Sequence, residues 1–111
     1  MERSSTTVDV ASLPWRDTPC AGVRWKKLRF DAATGESAVL LEFAPGATYD
    51  AHRHPLGEDY LVLEGSLEDG GKSYGAMTYV HHPAGSAHKP SSKEGCVLFV
   101  LLRAPIEALG R

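Results

Sequence analysis

Two histidines one residue apart, His52 and His54, and a glutamate four residues further on, Glu58, are the positions of this 111-residue chain whose types and spacing could do chemistry. In an extended strand, residues i and i+2 project from the same face, so both imidazoles can address one point in space. Pro55-Leu-Gly57 makes a turn, and Glu58 opens the strand beyond it, from which a carboxylate can reach that same point. All five histidines, His52, His54, His81, His82 and His88, fall between positions 52 and 88. Three neutral imidazoles and a carboxylate make a chelate for a divalent metal, with His88 arriving from a distant part of the sheet. An isolated pair of this kind is more often two surface histidines. It is the addition of Glu58 and His88 that carries the metal reading. His81 and His82 are adjacent, so at most one points inward, and a hydrogen bond at the rim is expected of them rather than ligation.

The composition narrows what else the chain could do. Twelve basic against fourteen acidic side chains leave a formal charge of -2, which removes the electrostatic footprint of a nucleic-acid binder. Asn and Gln are absent, so polar recognition must come from His, Arg, Lys, Tyr, Trp, Ser, Thr, carboxylates or the backbone. Cys20 and Cys96 are far apart in sequence and form neither a zinc pair nor a redox pair; reduced thiols are expected. The start lacks the apolar run of a signal peptide, and no apolar stretch is long enough to cross a membrane, so a cytoplasmic, membrane-free protein is expected. Gly85-Ser86 lacks the second glycine of a nucleophile elbow, which sets serine hydrolysis aside.

Eleven glycines and seven prolines punctuate short apolar runs, the pattern of an all-β chain of roughly eight to ten strands closing into a sandwich or barrel. Residues 1 to 22 read as an arm or short edge strand, 23 to 104 as a single domain, and 105 to 111 as a tail that forms a helical turn. Val23 to Phe30 and Ser37 to Phe43 form a hairpin about Asp31-Ala-Ala-Thr-Gly35. Further strands are expected over Ala47 to His54, from Glu58 to Gly65, over Lys72 to Tyr74, Ala76 to His82 and around His88, ending with Cys96 to Leu102. Tyr60 and Val62 share parity with Glu58 and should line the interior, making Tyr60 a candidate pocket hydroxyl beside the metal. Arg24, Lys26, Lys27 and Arg29 read as solvated edge charges. Glu64, Glu68 and Asp69 border the Asp69-Gly70-Gly71 turn and read as solvated too.

In full, the order is Gly46, five residues, His52, one, His54, three, Glu58, six, Gly65, followed downstream by Gly75 and by Pro83-Ala-Gly85-Ser-Ala-His88. This resembles the two signature motifs of the cupin superfamily, matched in identity and spacing. One position departs: the family often carries Asn four residues after the second-motif histidine, where this chain has Ser92, which puts the local turn geometry in question. The resemblance implies a small jelly-roll β-barrel, a double-stranded β-helix, with one metal on His52, His54, Glu58 and His88, and a tendency to form homodimers. The runs Val-Arg-Trp-Lys-Lys-Leu-Arg (23 to 29), Ala-His-Arg-His-Pro (51 to 55) and Gly-Cys-Val-Leu-Phe-Val (95 to 100) look most like ChrR-type cupin domains. Those occur as the C-terminal module of a zinc anti-sigma factor and in small dioxygenases acting on dihydroxyacetophenones or β-diketones.

Two functions follow as expectations. The favoured one is a mononuclear non-haem dioxygenase holding Fe(II), with Zn, Mn or Ni as other candidate ions, and a small oxygenated organic substrate in the barrel. The alternative is a metal-holding module that senses a small ligand or oxidant and signals to a protein partner. Residues 1 to 22 are too short for the helical zinc domain of the anti-sigma relatives, so direct sigma-factor inhibition is not expected.

Overall fold

The computed structural model describes residues 4–110; the outermost positions of the expected arm and tail, 1–3 and 111, lie outside the described residues. A hairpin of β2 (Val23–Phe30) and β3 (Ser37–Phe43) begins the main sheet, its turn tied by Gly35 N donating to Asp31 O at 2.7 Å. Ahead of it, a 3-10 turn at Val10–Ser12 leads to β1 (Arg16–Asp17), which pairs with β2 at the sheet edge. The long strand β6 (Glu58–Asp69) and the apolar β11 (Cys96–Leu102) complete the centre, with β11 between β3 and β6. Strands β7 (Lys72–Gly75) and β8 (Tyr79–His82) pair with the two halves of β6, and β10 (Ser91–Ser92) joins β6 to β4 (Ala47–Thr48). A second sheet of three strands has β5 (His52–His54) between β9 (Ser86–His88) and β12 (Glu107–Ala108). The result is the expected all-β jelly roll.

Cross-strand register fixes which side chains point inward. Tyr60 lies opposite Val100, and Val100 opposite Val39; one step along, Val62, Leu98 and Leu41 form the next row. Tyr60, Val62, Leu98 and Val100 are buried, as period-two alternation requires of a sheet with one apolar face. Each such side chain removed from water contributes about 1.5–3 kcal/mol, which is what closes the barrel.

Several expectations need correction. Ala47 to His54 is not one strand: residues 47–48 pair with β10 and residues 52–54 with β9 and β12, because the chain crosses between sheets at 49–51. Ala76 to His82 is shortened to Tyr79–His82, since Thr78 N closes a turn onto Gly75 O and Met77 takes a positive φ of 68°. The tail forms a strand instead of a helical turn, Glu107 and Ala108 pairing with Arg53 and His52. Without it β5 would present an unpaired edge, and satisfying those backbone groups outweighs the weak helical tendency of so short a segment.

The second half of β6 holds the correction that matters most. Leu98 pairs with Val62 but Val97 pairs with Glu64, so Leu63 is an extra residue in the strand, a β-bulge. Up to that point the even positions Glu58, Tyr60 and Val62 are buried; beyond it the odd positions Leu67 and Asp69 are. Gly65 makes the kink, with φ +74°, and a Cβ there would lie 2.0 Å from Gly95 O. Asp69, expected to be solvated, is thereby turned into the barrel and is 4% exposed. Glu68, on the other face, accepts from Ser73 Oγ and Lys93 N instead.

Candidate metal centre

β5 presents His52 and His54 inward with Arg53 exposed between them, the alternation expected of i and i+2. β9 runs antiparallel to it so that His88 faces His52 directly and Ser86 faces His54. Glu58 enters from the first residue of β6, after the turn closed by Gly57 N on His54 O. One ligand atom from each of His52, His54, Glu58 and His88 lies within 4.8 Å of the others, and His52, His54 and Glu58 are buried.

The hydrogen bonds around the cluster determine its tautomers. His52 Nδ1 is 2.7 Å from the Asp50 carbonyl, which can only accept, so Nδ1 carries the proton. His88 Nδ1 is 2.9 and 3.0 Å from the two oxygens of Asp69 and must donate as well. Burial pushes the Asp69 carboxyl upward, but hydrogen bonds from His88 and Tyr60 outweigh it and hold Asp69 well below the usual carboxylate range. With both rings neutral, each Nε2 is a bare lone pair, and the two face one another at 2.9 Å. Burial, with His88 and His54 close by, lowers the pKa of His52 despite its bond to the Asp50 carbonyl, so the ring stays neutral. His54 Nε2 is buried without a hydrogen-bond partner, 3.3 Å from Glu58 Oε2. Three imidazole nitrogens and a carboxylate thus converge on one point. That donor set fits a divalent ion of the kind bound by nitrogen and oxygen ligands.

The remaining candidates have other roles. Tyr60 is buried and lines the interior, but its hydroxyl donates to Asp69 Oδ2 at 2.7 Å and is not free for a ligand. His82 points inward and lies 2.9 Å from Asp69 Oδ2, whereas His81 points out to Asp59. Ser92, at the departing motif position, is buried and donates to Ser66 O at 2.6 Å, tying β10 to β6. Cys20 and Cys96 are free, buried thiols. Of the basic residues, Arg24 pairs with Glu42 and Lys26 donates to Val10 O, but Lys27 and Arg29 line the mouth of the cavity. Both share the inward parity of Trp25, and Lys27 rests on the Trp25 ring at 4.6 Å.

That cavity has a volume of about 500 Å³ and ends on His52, Glu58 and His88, with Trp25, Val39, Leu41, Leu98 and Val100 among its walls. Tyr49 also lines it, edge-on to His52, and burial raises its pKa to about 12, so the phenol keeps its proton. Sequence reasoning missed Tyr49, which follows the Pro45-Gly46 turn without any pattern of its own. It also missed Asp69, for which the one signal was the polar interruption Glu64-Gly65-Ser66 in an apolar strand.

A jelly roll with three histidines and a glutamate converging inside it defines a cupin. The chain belongs to the ChrR cupin-like domain family, which it matches over residues 3–105. Among solved structures, it is similar to a Methylibium petroleiphilum protein proposed to be an acetylacetone dioxygenase, with a TM-score of 0.92, 19% identity, and coverage of 99% of this chain and 84% of that one. The acetylacetone dioxygenase of Acinetobacter johnsonii gives a TM-score of 0.91 at 16% identity, covering 99% and 81%. The anti-sigma factor ChrR of Rhodobacter sphaeroides, solved with SigE, gives 0.71 at 25% identity; 84% of this chain is covered and half of that one. No curated protein sequence matches the chain.

Proposed function

We propose that this chain is a mononuclear metal-dependent dioxygenase in which His52, His54, Glu58 and His88 hold Fe(II) and a small oxygenated organic molecule occupies the adjoining cavity. The observation that carries this reading is the pair of bare Nε2 atoms 2.9 Å apart, with the unpartnered Nε2 of His54 and the Glu58 carboxylate beside them. Such an arrangement is repulsive until a cation fills it. A divalent ion held there by His52, His54, Glu58 and His88 would supply Lewis acidity toward an oxygenated substrate. The chain's own residues do the rest. The apolar walls exclude water and favour a carbon skeleton, and the Tyr49 phenol offers a protonated donor beside His52. Likeness to structures named as acetylacetone dioxygenases makes β-diketones the first substrates to test.

Elemental analysis of protein purified without a His-tag or added metal is expected to give about one equivalent of ion per chain. Fe(II)-loaded protein is expected to consume oxygen with at least one member of a panel of β-diketones and hydroxyacetophenones; no uptake across the panel overturns the enzymatic reading. A sensing role is favoured by the likeness to ChrR. Reproducible co-purification of one protein partner, together with an absence of oxygen uptake, would support that role instead.

A further inference from the structure

Asp69 has no place among the four ligands, yet its carboxylate is buried and receives three donors. Tyr60 Oη donates at 2.7 Å, His82 Nε2 lies at 2.9 Å, and His88 Nδ1 lies at 2.9 Å from Oδ2 and 3.0 Å from Oδ1. Its ion-pair partners among the described residues are both histidines, with no lysine or arginine. Burying a carboxylate away from any permanent cation is costly unless hydrogen bonds and a nearby positive charge offset it. The His88 ring connects this carboxylate to the cluster, Nδ1 on one side and Nε2 on the other.

We propose that Asp69 is a positioning residue of the metal centre: it holds His88 in the Nδ1–H tautomer and supplies, with Glu58, the second negative charge that balances a divalent ion. The inference rests on the metal reading above. A carboxylate behind a ligating imidazole orients the ring and raises the basicity of the opposite nitrogen. Three neutral imidazoles, two carboxylates and a dication sum to zero, the state least costly to bury. Tyr60 and His82 serve Asp69 in turn, occupying Oδ2 so that the carboxylate cannot swing away from His88. Asp69, His82 and His88 also lie close enough to hold an ion of their own. The hydrogen bonds of 2.7–3.0 Å already made to Asp69, and the proton they require on His88 Nδ1, favour the positioning role.

The test measures Zn(II) affinity of the metal-free chain by chelator competition, alongside folding by circular dichroism. Asp69→Asn, which keeps the shape and an accepting oxygen, is expected to bind 10- to 100-fold more weakly. Tyr60→Phe is expected to weaken binding in the same direction and less. Nitrogen-15 NMR of the wild-type chain, with and without Zn(II), is expected to show His88 protonated at Nδ1. That last measurement stands even if Asp69→Asn fails to fold. Unchanged affinity in Asp69→Asn, a second equivalent of Zn(II) lost only in that variant, or a wild-type His88 protonated at Nε2 would each overturn the proposal. Should the wild-type chain bind no metal at all, the function proposed above falls, while the His88 tautomer still decides whether Asp69 positions the ring.

Discussion

At the scale of single residues, the cluster depends on pairs of contacts that oblige each imidazole to aim inward. His52 is held by the Asp50 carbonyl and His88 by Asp69, so neither ring can turn its bare nitrogen away without losing a hydrogen bond. His52→Ala and His88→Ala are therefore expected to lose the bound ion altogether, as metal analysis of the purified variants would show; stoichiometric metal retained by both would sink the assignment. The quartet was legible because its spacing is local or nearly so: i and i+2 on a strand, then one turn to Glu58. His88 could be placed only through its motif, since nothing in the sequence states which strand lies beside β5. Asp69 was illegible for a different reason. Its neighbours Gly70 and Gly71 announce a turn, and an aspartate at a turn is ordinarily solvated. Its burial follows from a parity change several residues upstream.

At the scale of elements, β6 does two jobs with opposite parity. Its first half turns Glu58, Tyr60 and Val62 inward and its second half Leu67 and Asp69, with the extra residue Leu63 and the kink at Gly65 between them. An alanine at 65 must adopt φ +74° and press a Cβ against Gly95 O, so the strand would have to move. Gly65→Ala is expected to destabilise the protein by more than about 1 kcal/mol, read from denaturant unfolding, and to weaken metal retention because Asp69 is displaced with the strand. A variant with wild-type stability and metal content would show that the bulge does not set the register. The main hairpin and β11 were legible because apolar alternation and Gly-bearing turns delimit them. The split of 47–54 and the strand β12 were not, because each is decided by which backbone edge needs a partner, a property of the assembled sheets; the shortened β8 was not because Met77, a non-glycine residue, takes the positive φ of the turn before it.

For the whole molecule, the outer face of the central sheet carries a row that the fold leaves uncovered: Tyr79 beside Leu61, and Leu61 beside Phe99. Tyr79 is 61% exposed and Leu63 and Phe99 36% each. Contiguous apolar surface of this kind favours association, and a dimer is the expected solution state. Light scattering should give twice the 12.0 kDa of the chain, with Phe99→Asp shifting the mass toward one copy; a wild-type mass near 12.0 kDa would refute it. The position of the histidine cluster also bears on the order in which the chain can assemble. His52, His54 and His88 stand on the three-stranded sheet, while Glu58 and Asp69 stand on the larger one, so these side chains form a seam between layers. Bringing residue 88 back to residue 52 closes a loop whose entropic cost a few polar contacts, worth about 1 kcal/mol each, do little to repay. The apolar rows of β3, β11 and β6 have to supply that driving force. Their collapse comes first in this account, and the seam is completed on a scaffold already formed, making the centre a late product of folding and not its nucleus.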